Sequence, residues 1–261
     1  MAALLGQSHC DVQAVAVVTV ATESYGVIGL DWVSMKGSST TSYWSSGTGG
    51  SGQLGNVASN GNITLGNGTT INGDARPGIG MSVTGGVVTG TREPLTKVLS
   101  FPPGDAGVYA TNNDNNLIPQ WAVQGDRLIV KSNPLTISGG NYYFRDVEIT
   151  TNASVTFTGP TTIYCWGNFT MTSQTKTAGS LPKNLTIVMC PGPAGQMPGA
   201  LSLTSGADLY ASVYAPQSPV TVWASGDIFG AILGKSVDMG GSGKVHYDLS
   251  LHATGPIGLV K

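Results

Sequence analysis

Charged residues are scarce in this chain, and that scarcity is the first constraint on its function. Only 10% of its 261 residues are charged, whereas about 25% is usual for a globular protein, and the formal net charge is −2. No lysine or arginine run occurs, and binding nucleic-acid phosphates requires clustered cations. No apolar run reaches the roughly 20 residues of a membrane-spanning helix. We therefore expect no nucleic-acid partner and no membrane span in this chain.

Signals for helices, metal sites and catalysis are also nearly absent. No stretch of a dozen residues places apolar side chains at the i, i+3, i+4 and i+7 positions of an amphipathic helix. The three cysteines form no CxxC pair and the three histidines have no ligand spacing, so we expect neither a metal nor a cofactor. Carboxylates are few and scattered, and no GxSxG motif occurs. We therefore expect no catalytic residues and predict that the protein is not an enzyme.

Short strand-like runs fill the chain instead, bounded by its 38 glycines and by asparagine, aspartate or proline. In the C-terminal third, GADLYASVYAP from Gly206, SGDIFGAILGK from Ser225 and SGKVHYDLSL from Ser242 align with one another. Such a short repeat, with strands of three to five residues, is typical of one coil of a β-solenoid, in which coils stack about 4.8 Å apart. The predicted fold class is all-β, a single-stranded parallel β-helix (β-solenoid) with loop insertions.

The aligned repeats predict two ladders of equivalent residues. The core ladder consists of Leu209, Ile228, Val245, Val213, Ile232 and Leu249. Each of these inward side chains is expected to stabilise the fold by about 1.5–3 kcal/mol through burial. The corner ladder consists of Asp208, Asp227 and Lys244. Two carboxylates about 5 Å apart in water repel by about 1 kcal/mol, which the lysine offsets.

The domain organisation follows from where the repeats stop and resume. Prolines and an Asn/Asp run interrupt them in the middle of the chain. We predict an N-terminal strand or cap at 1–24, first coils at 25–91, an insertion or excursion at 92–126, main coils at 127–251 and a C-terminal tail at 252–261. The strand edges at the ends of a solenoid favour self-association, as a homo-oligomer or a filament.

Cys165 and Cys190 lie on neighbouring strand-like segments. Two interpretations stay open for them. They form a disulfide if the chain occupies an oxidising compartment, or they remain free buried thiols.

The segment Ala207–Asp248, with its VYAP, GAILGKSV and HYD motifs, resembles the β-helical repeat domain of bacterial surface proteins associated with pilus assembly (PilX-like or Tad-like). GLDWVSMKGSSTTSYWSS and SNGNITLGNGTTINGDA also look like the opening of such proteins. The resemblance implies a secreted or cell-surface β-helix without catalytic residues. We therefore predict an extracellular or cell-surface structural protein that acts in adhesion or self-assembly into fibres.

Two alternatives remain. The first is a carbohydrate-binding or carbohydrate-active β-helix that takes a surface glycan, with stacking platforms at Trp32, Trp44, Trp121, Trp166 and Trp223. The second is an ice-binding protein, because regularly spaced hydroxyl groups on a flat solenoid face can order water. For the second alternative, Thr69–Gly86 is the candidate segment.

Overall fold

The computed structural model describes residues 24–46, 51–52, 54–150, 152–204 and 206–253. Its strands are β1 Val27–Met35, β2 Thr40–Trp44, β3 Ser51–Gly52, β4 Val57–Ser59, β5 Ile63–Ile71, β6 Ala75–Arg76, β7 Val83–Val88, β8 Val123–Gln124, β9 Arg127–Val130, β10 Leu135–Ile137, β11 Gly140–Phe144, β12 Val147–Ile149, β13 Ser154–Phe157, β14 Thr161–Cys165, β15 Phe169–Met171, β16 Gln174–Lys176, β17 Leu185–Met189, β18 Leu201–Leu203, β19 Leu209–Ala224, β20 Ile228–Gly241 and β21 Lys244–Asp248.

Helical structure is limited to single turns in the described residues. The 3-10 helices are Gly107–Ala110, Asn115–Leu117, Gln120–Ala122, Ala178–Ser180, Pro182–Asn184 and Pro193–Gly195, and the α-helix α1 is Ser250–Ala253. None of the helices that the structure describes has the length and apolar character needed to cross a membrane. The predicted N-terminal strand or cap and the C-terminal tail fall almost entirely outside the described residues.

The strands wind around one axis and form three faces. Nearly all pairings are parallel, the exceptions being β2 with β3 and β8 with β9. Because side chains alternate along a strand, every second residue points into the axis and the others form outward rows. The inward residues make one continuous aliphatic and aromatic core, in which Tyr142, Phe144, Phe157 and Phe169 are among the largest fully buried side chains. The predicted all-β architecture, with parallel strands closed around an axis, is confirmed.

We name the faces by their outward rows, each given in stacking order. Face A carries Tyr143, Tyr164, Val188, Tyr214, Leu233, Ile28, Ala58 and Arg76. Face B carries Ile129, Glu148, Thr170, Ser202, Thr221, Asp238, Ser34, Thr64 and Thr84. Face C carries two shorter rows, Thr136, Thr156 and Lys176, and Tyr210, Phe229, His246 and Ser42.

The layers of the stack do not follow the order of the chain. Val33 of β1 is in register with Val237 of β20 on one side and with Ile63 of β5 on the other. The coils of residues 25–91 therefore stack on the C-terminal edge of the coils of residues 127–251. The winding that reaches Asp248 in β21 is continued in space by the coil that begins at Val27.

Residues 92–126, which we call the connector, link the two opposite ends of this stack. They leave the layer of β7 and return to the layer of β9 along face A. Leu95, Leu99 and Ala106 of the connector are buried against the outward row of that face. The Tyr214 hydroxyl donates to the carbonyl of Pro102 at 2.5 Å. Face A is therefore covered, whereas no segment of the described residues covers face B.

Candidate functional site

The outward row of face B is the candidate functional site because it presents hydroxyl groups in successive layers. Thr170, Ser202 and Thr221 are in register on β15, β18 and β19. Their strand neighbours Met171, Leu203 and Val222 point inward and are buried, which fixes the opposite orientation of the hydroxyl side chains. Among the described residues, no group forms a hydrogen bond with the hydroxyls of Thr170, Ser202 or Thr221. These three hydroxyl groups are therefore open to water.

A second hydroxyl row runs beside the first, one residue beyond the strand ends. It consists of Thr150, Thr172 and Thr204, whose N–H groups bond to the carbonyls of Val130, Ile149 and Met171 in the preceding layers. The Thr150 hydroxyl donates to the Lys131 carbonyl at 2.8 Å, and that of Thr172 to the Ile149 carbonyl at 3.2 Å. These bonds hold the side chains of Thr150 and Thr172 in place, while their oxygens can still accept a hydrogen bond from water.

Charged groups flank this hydroxyl region on both sides. Asp238, in the layer after Thr221, forms an ion pair with Lys36 at 3.1 Å. On the other side, Glu148 lies 3.8 Å from both Arg127 and Lys131. The central layers between these pairs carry no charge in either row.

The Asp146 carboxylate, at the corner directly before β12 on face B, is ionised more readily than usual. Burial opposes its ionisation, but the N–H of Asn168 at 2.9 Å and the guanidinium of Arg145 at 3.0 Å hold its pKa below the ordinary value. The negative charge of Asp146 is therefore fixed within the wall of the solenoid.

The five tryptophans predicted as stacking platforms occupy different environments. Trp223 and Trp32 lie on face B and expose 47% and 42% of their surface. The Trp223 ring lies over Gly240, where an added Cβ would come within 2.9 Å of it. Trp44 packs edge-on against Phe229 on face C, Trp166 packs on the apolar surface of face A, and Trp121 is 45% exposed on the connector. Of the five, only Trp223 borders the hydroxyl region, on the same strand as Thr221, whereas Trp32 lies beyond the layer of Asp238.

Five of the six residues of the predicted core ladder lie on the inner surface of β19, β20 and β21. Leu209, Ile228 and Val245 are in register, as are Val213 and Ile232, and all five are buried. Leu249 lies just beyond β21 and is partly buried against the cluster on face A.

The corner ladder has a role that the sequence did not indicate. The carboxylate of Asp208 accepts the N–H of Asp227 at 3.0 Å, and the carboxylate of Asp227 accepts the N–H of Lys244 at 3.0 Å. Each aspartate thus satisfies a backbone donor of the next layer. In the same way, the N–H of Asn168 donates to the carboxylate of Asp146. The sequence signal that could have indicated this role is an Asp or Asn directly before the first buried residue of a strand.

The disulfide considered between Cys165 and Cys190 is not formed, because both are free buried thiols. Cys165 is in register with Met189 and points into the core. Cys190, one residue further on, points to the opposite side of the sheet, into the cluster beneath the connector. Burial raises the pKa of both thiols to about 12.

His246 on face C links three layers through its two ring nitrogens. Nδ1 lies 2.5 Å from the Ser42 hydroxyl and Nε2 lies 3.0 Å from the Asp227 carboxylate. The imidazole also stacks on Phe229, with ring centroids 4.7 Å apart, and Ser42 is only 8% exposed. This set joins the coils on either side of the chain-order break. Within the described residues no three His, Cys, Asp or Glu side chains are grouped as metal ligands.

Comparison with known proteins gives one family model and several solved structures. A model described as a domain of unknown function, DUF7305, matches residues 146–254, and no curated protein matches the chain. The chain is similar to the ice-binding protein of the Antarctic ascomycete Antarctomyces psychrotrophicus, with 13% identity, coverage of 87% of this chain and 95% of that chain, and a TM-score of 0.42.

Two further ice-binding proteins are similar to the chain at the same level. One comes from an Antarctic biological consortium, with 14% identity, 93% and 96% coverage and a TM-score of 0.46. The other is the DUF3494 domain of ice-binding protein 1 from Shewanella frigidimarina, with 14% identity, 90% and 98% coverage and a TM-score of 0.46.

The predicted resemblance to pilus-associated surface proteins is wrong. The family model that spans Ala207–Asp248 describes a domain of unknown function, the similar solved structures are ice-binding proteins, and none of these findings points to pilus proteins. The motifs on which the resemblance depended are strand and corner residues of the coils. A β-solenoid needs such residues whatever its function.

Proposed function

We propose that this single-stranded parallel β-helix with loop insertions is a non-enzymatic, extracellular protein that binds ice through face B. The observation that carries the proposal is the row of unpaired hydroxyl groups on Thr170, Ser202 and Thr221 in three successive layers. The parallel row of Thr150, Thr172 and Thr204 widens the array.

The physical basis is the regularity of the array. Strands paired in register repeat about every 4.8 Å, and each hydroxyl group both donates and accepts hydrogen bonds. Threonine has few side-chain rotamers because it is branched at Cβ, so the oxygens on neighbouring layers keep fixed relative positions. A rigid, uncharged array of this kind can hold water molecules in an ordered, ice-like arrangement. Ionic groups, which bind water more strongly and less regularly, lie outside the central layers.

The hydroxyl array differs from the segment that the sequence indicated for ice binding. In Thr69–Gly86, Thr69 is buried and donates to the Gly66 carbonyl at 2.8 Å. Thr70 pairs with Thr40 on face C, and Thr84 belongs to the last layer of face B. The segment is therefore distributed over different faces, and the proposal depends on face B alone.

Ice recrystallisation inhibition and thermal hysteresis test the proposal. We expect activity in the unmodified protein and a loss of at least tenfold in Thr170→Tyr and Ser202→Tyr, because a ring on the central rows prevents close contact with a flat ice surface. Thr156→Tyr is the matched control, since Thr156 occupies an equivalent outward strand position on face C. Unchanged thermal unfolding would show that the variants remain folded.

Two results would refute ice binding through face B. One is the absence of ice recrystallisation inhibition and thermal hysteresis in the unmodified protein, even at high concentration. The other is equal loss of activity in Thr156→Tyr and Thr170→Tyr.

A glycan is the second candidate ligand, favoured by the exposed rings of Trp223 and Trp32 beside Asp238. Aromatic faces next to hydroxyl and carboxylate groups suit the apolar and polar sides of a sugar ring. Retention of the protein on insoluble polysaccharides, lost in Trp223→Ala and kept in Thr170→Tyr, would support this alternative. No release of reducing ends is expected, since the Asp238 carboxylate is held by Lys36. Lack of retention on every polysaccharide tried would exclude it.

A further inference from the structure

The two ends of the stack are finished differently. At the end formed by β9, the connector folds over the core, and its Ile118 and Ala122 are buried as part of that core. At the end formed by β7, Val83 and Val88 are only partly buried, and Ile79, Met81 and Val87 expose 57%, 43% and 57% of their surface. We call these the closed end and the open end.

The open end also presents an unpaired strand edge. β7 pairs with β5 along one side, and in the described part of the chain no strand pairs with its other side. Residues 82–90, SVTGGVVTG, contain no charged side chain, so neither arm of β7 itself carries a charge that would discourage pairing. Arg92 donates to the carbonyls of Gly85 and Gly86 at 3.1 and 3.0 Å, and so satisfies the bend in the middle of the strand. The two arms of β7 on either side of this bend remain available.

The sequence of β7 is complementary to itself in the antiparallel direction. Its first arm, residues 83–85, pairs with β5 on face B, and its second arm, residues 87–88, lies on the face C side. A twofold axis through the bend places the first arm of one copy against the second arm of the other. Val83 then lies opposite Val88 of the second copy, Thr84 opposite Val87, and the two glycines face each other. Inward valines therefore meet inward valines across the junction.

We infer that the protein forms a twofold-symmetric dimer in which β7 of one copy pairs antiparallel with β7 of a second copy, end to end. The pairing satisfies unpaired backbone groups and covers the valines of the open end. At the closed end, β8 already pairs with the edge of β9, and Asp114 and Asn115 bond to the backbone of β11. The proposed interface of the open end is isologous and therefore joins two copies. A filament, which is the other outcome expected from the sequence, would need a second interface at the closed end.

Light scattering coupled to size-exclusion chromatography tests this inference. The unmodified protein is expected at twice the chain mass, and the double variant Met81→Lys and Val87→Lys at the mass of one chain, because edge lysines oppose strand pairing. Leu117→Lys is the matched control: Leu117 is 57% exposed at the closed end, and this variant should remain a dimer. Circular dichroism melting verifies that all variants are folded.

A monomeric unmodified protein at high concentration would overturn the inference, as would long oligomers or dissociation by Leu117→Lys. The dimer is independent of ice binding. Thr170→Tyr should stay dimeric, and the Met81→Lys and Val87→Lys variant should keep ice activity per chain.

Discussion

Faces A and B belong to the same stack of coils, yet in the described part of the chain one is covered and the other is bare. Both alternate inward and outward residues, and their inward residues share one core. The outward row of face A is largely aromatic and aliphatic, including Tyr214 and Leu233, and the connector covers it. The outward row of face B is largely hydroxyl, and nothing in the described residues covers it. A change of outward residue type on a constant scaffold thus determines whether a face contributes to stability or remains available for binding.

The largest test of this difference is a matched pair of aspartates. Leu233→Asp places a carboxylate beneath the connector, where the native side chain is fully buried. An unpaired charge there should lower the free energy of unfolding by about 4 kcal/mol or more. Thr221→Asp, on the neighbouring strand of face B, should lower it by about 1 kcal/mol through repulsion from Asp238. Urea titration measures both, and equal losses would contradict the distinction between the faces.

A smaller effect is expected from the hydrogen bonds that hold the connector. Asn60 accepts the N–H of Leu99 at 2.7 Å and donates to its carbonyl at 2.8 Å. Asn60→Ala leaves both Leu99 groups without that partner, and we expect a loss of about 1–3 kcal/mol. The control is Asn62→Ala, because Asn62 is exposed on the face B side and accepts the N–H of Ser82 at 3.0 Å. Urea titrations in which Asn62→Ala lost as much as Asn60→Ala would argue against a special role of the connector.

Alkaline pH should weaken the packing of face A. Burial raises the pKa of Tyr164 and Tyr214 to about 12, whereas tyrosine in an unfolded chain titrates near about 10. Because the folded state keeps these protons longer, their contribution to stability is complete below about pH 10 and is lost as pH rises towards about 12. Thermal melts across this range should show the decline. The double variant Tyr164→Phe and Tyr214→Phe should decline less, and an identical slope would contradict the assignment.

The least disruptive test follows the two buried thiols. With a pKa of about 12, neither Cys165 nor Cys190 should react with a thiol reagent at neutral pH in the folded protein. In a Cys10→Ser background, Cys190 should react first in mild denaturant, because it lies beneath the connector, whereas Cys165 lies in the core. Mass spectrometry of the labelled peptides gives the order. Simultaneous labelling would mean that the connector does not open before the core.

Local repeats made the coils predictable from the sequence. Leu209, Ile228 and Val245 occupy equivalent positions in neighbouring repeats, and the structure places them in register. The order of the layers could not be obtained in this way. Nothing in the sequence near Ser34 indicates that its neighbour is Asp238, because all coils present similar edges. The hydroxyl row of face B depends on such distant pairings and was therefore missed.

The sequence pattern places Cys165 and Cys190 on neighbouring strand-like segments but does not show which side of the sheet each thiol occupies. The disulfide does not form because Cys165 is in register with Met189, so Cys190, one residue further on, points to the opposite side of the sheet. The connector was recognisable from its prolines and its Asn/Asp run. That it covers face A could not be inferred, because the apolar outward row of that face is assembled from residues between Ile28 and Leu233.

The stacking of β1 on β20 has a consequence for how the chain acquires its structure. Val27 contacts Ile232, although Val27 leaves the ribosome about two hundred residues earlier. β1 can pair with β4 and β5 soon after synthesis, but its other edge must wait until almost the whole polypeptide has emerged. The junction between β1 and β20 therefore forms last. Until then the nascent protein carries an exposed strand edge with which other chains could pair.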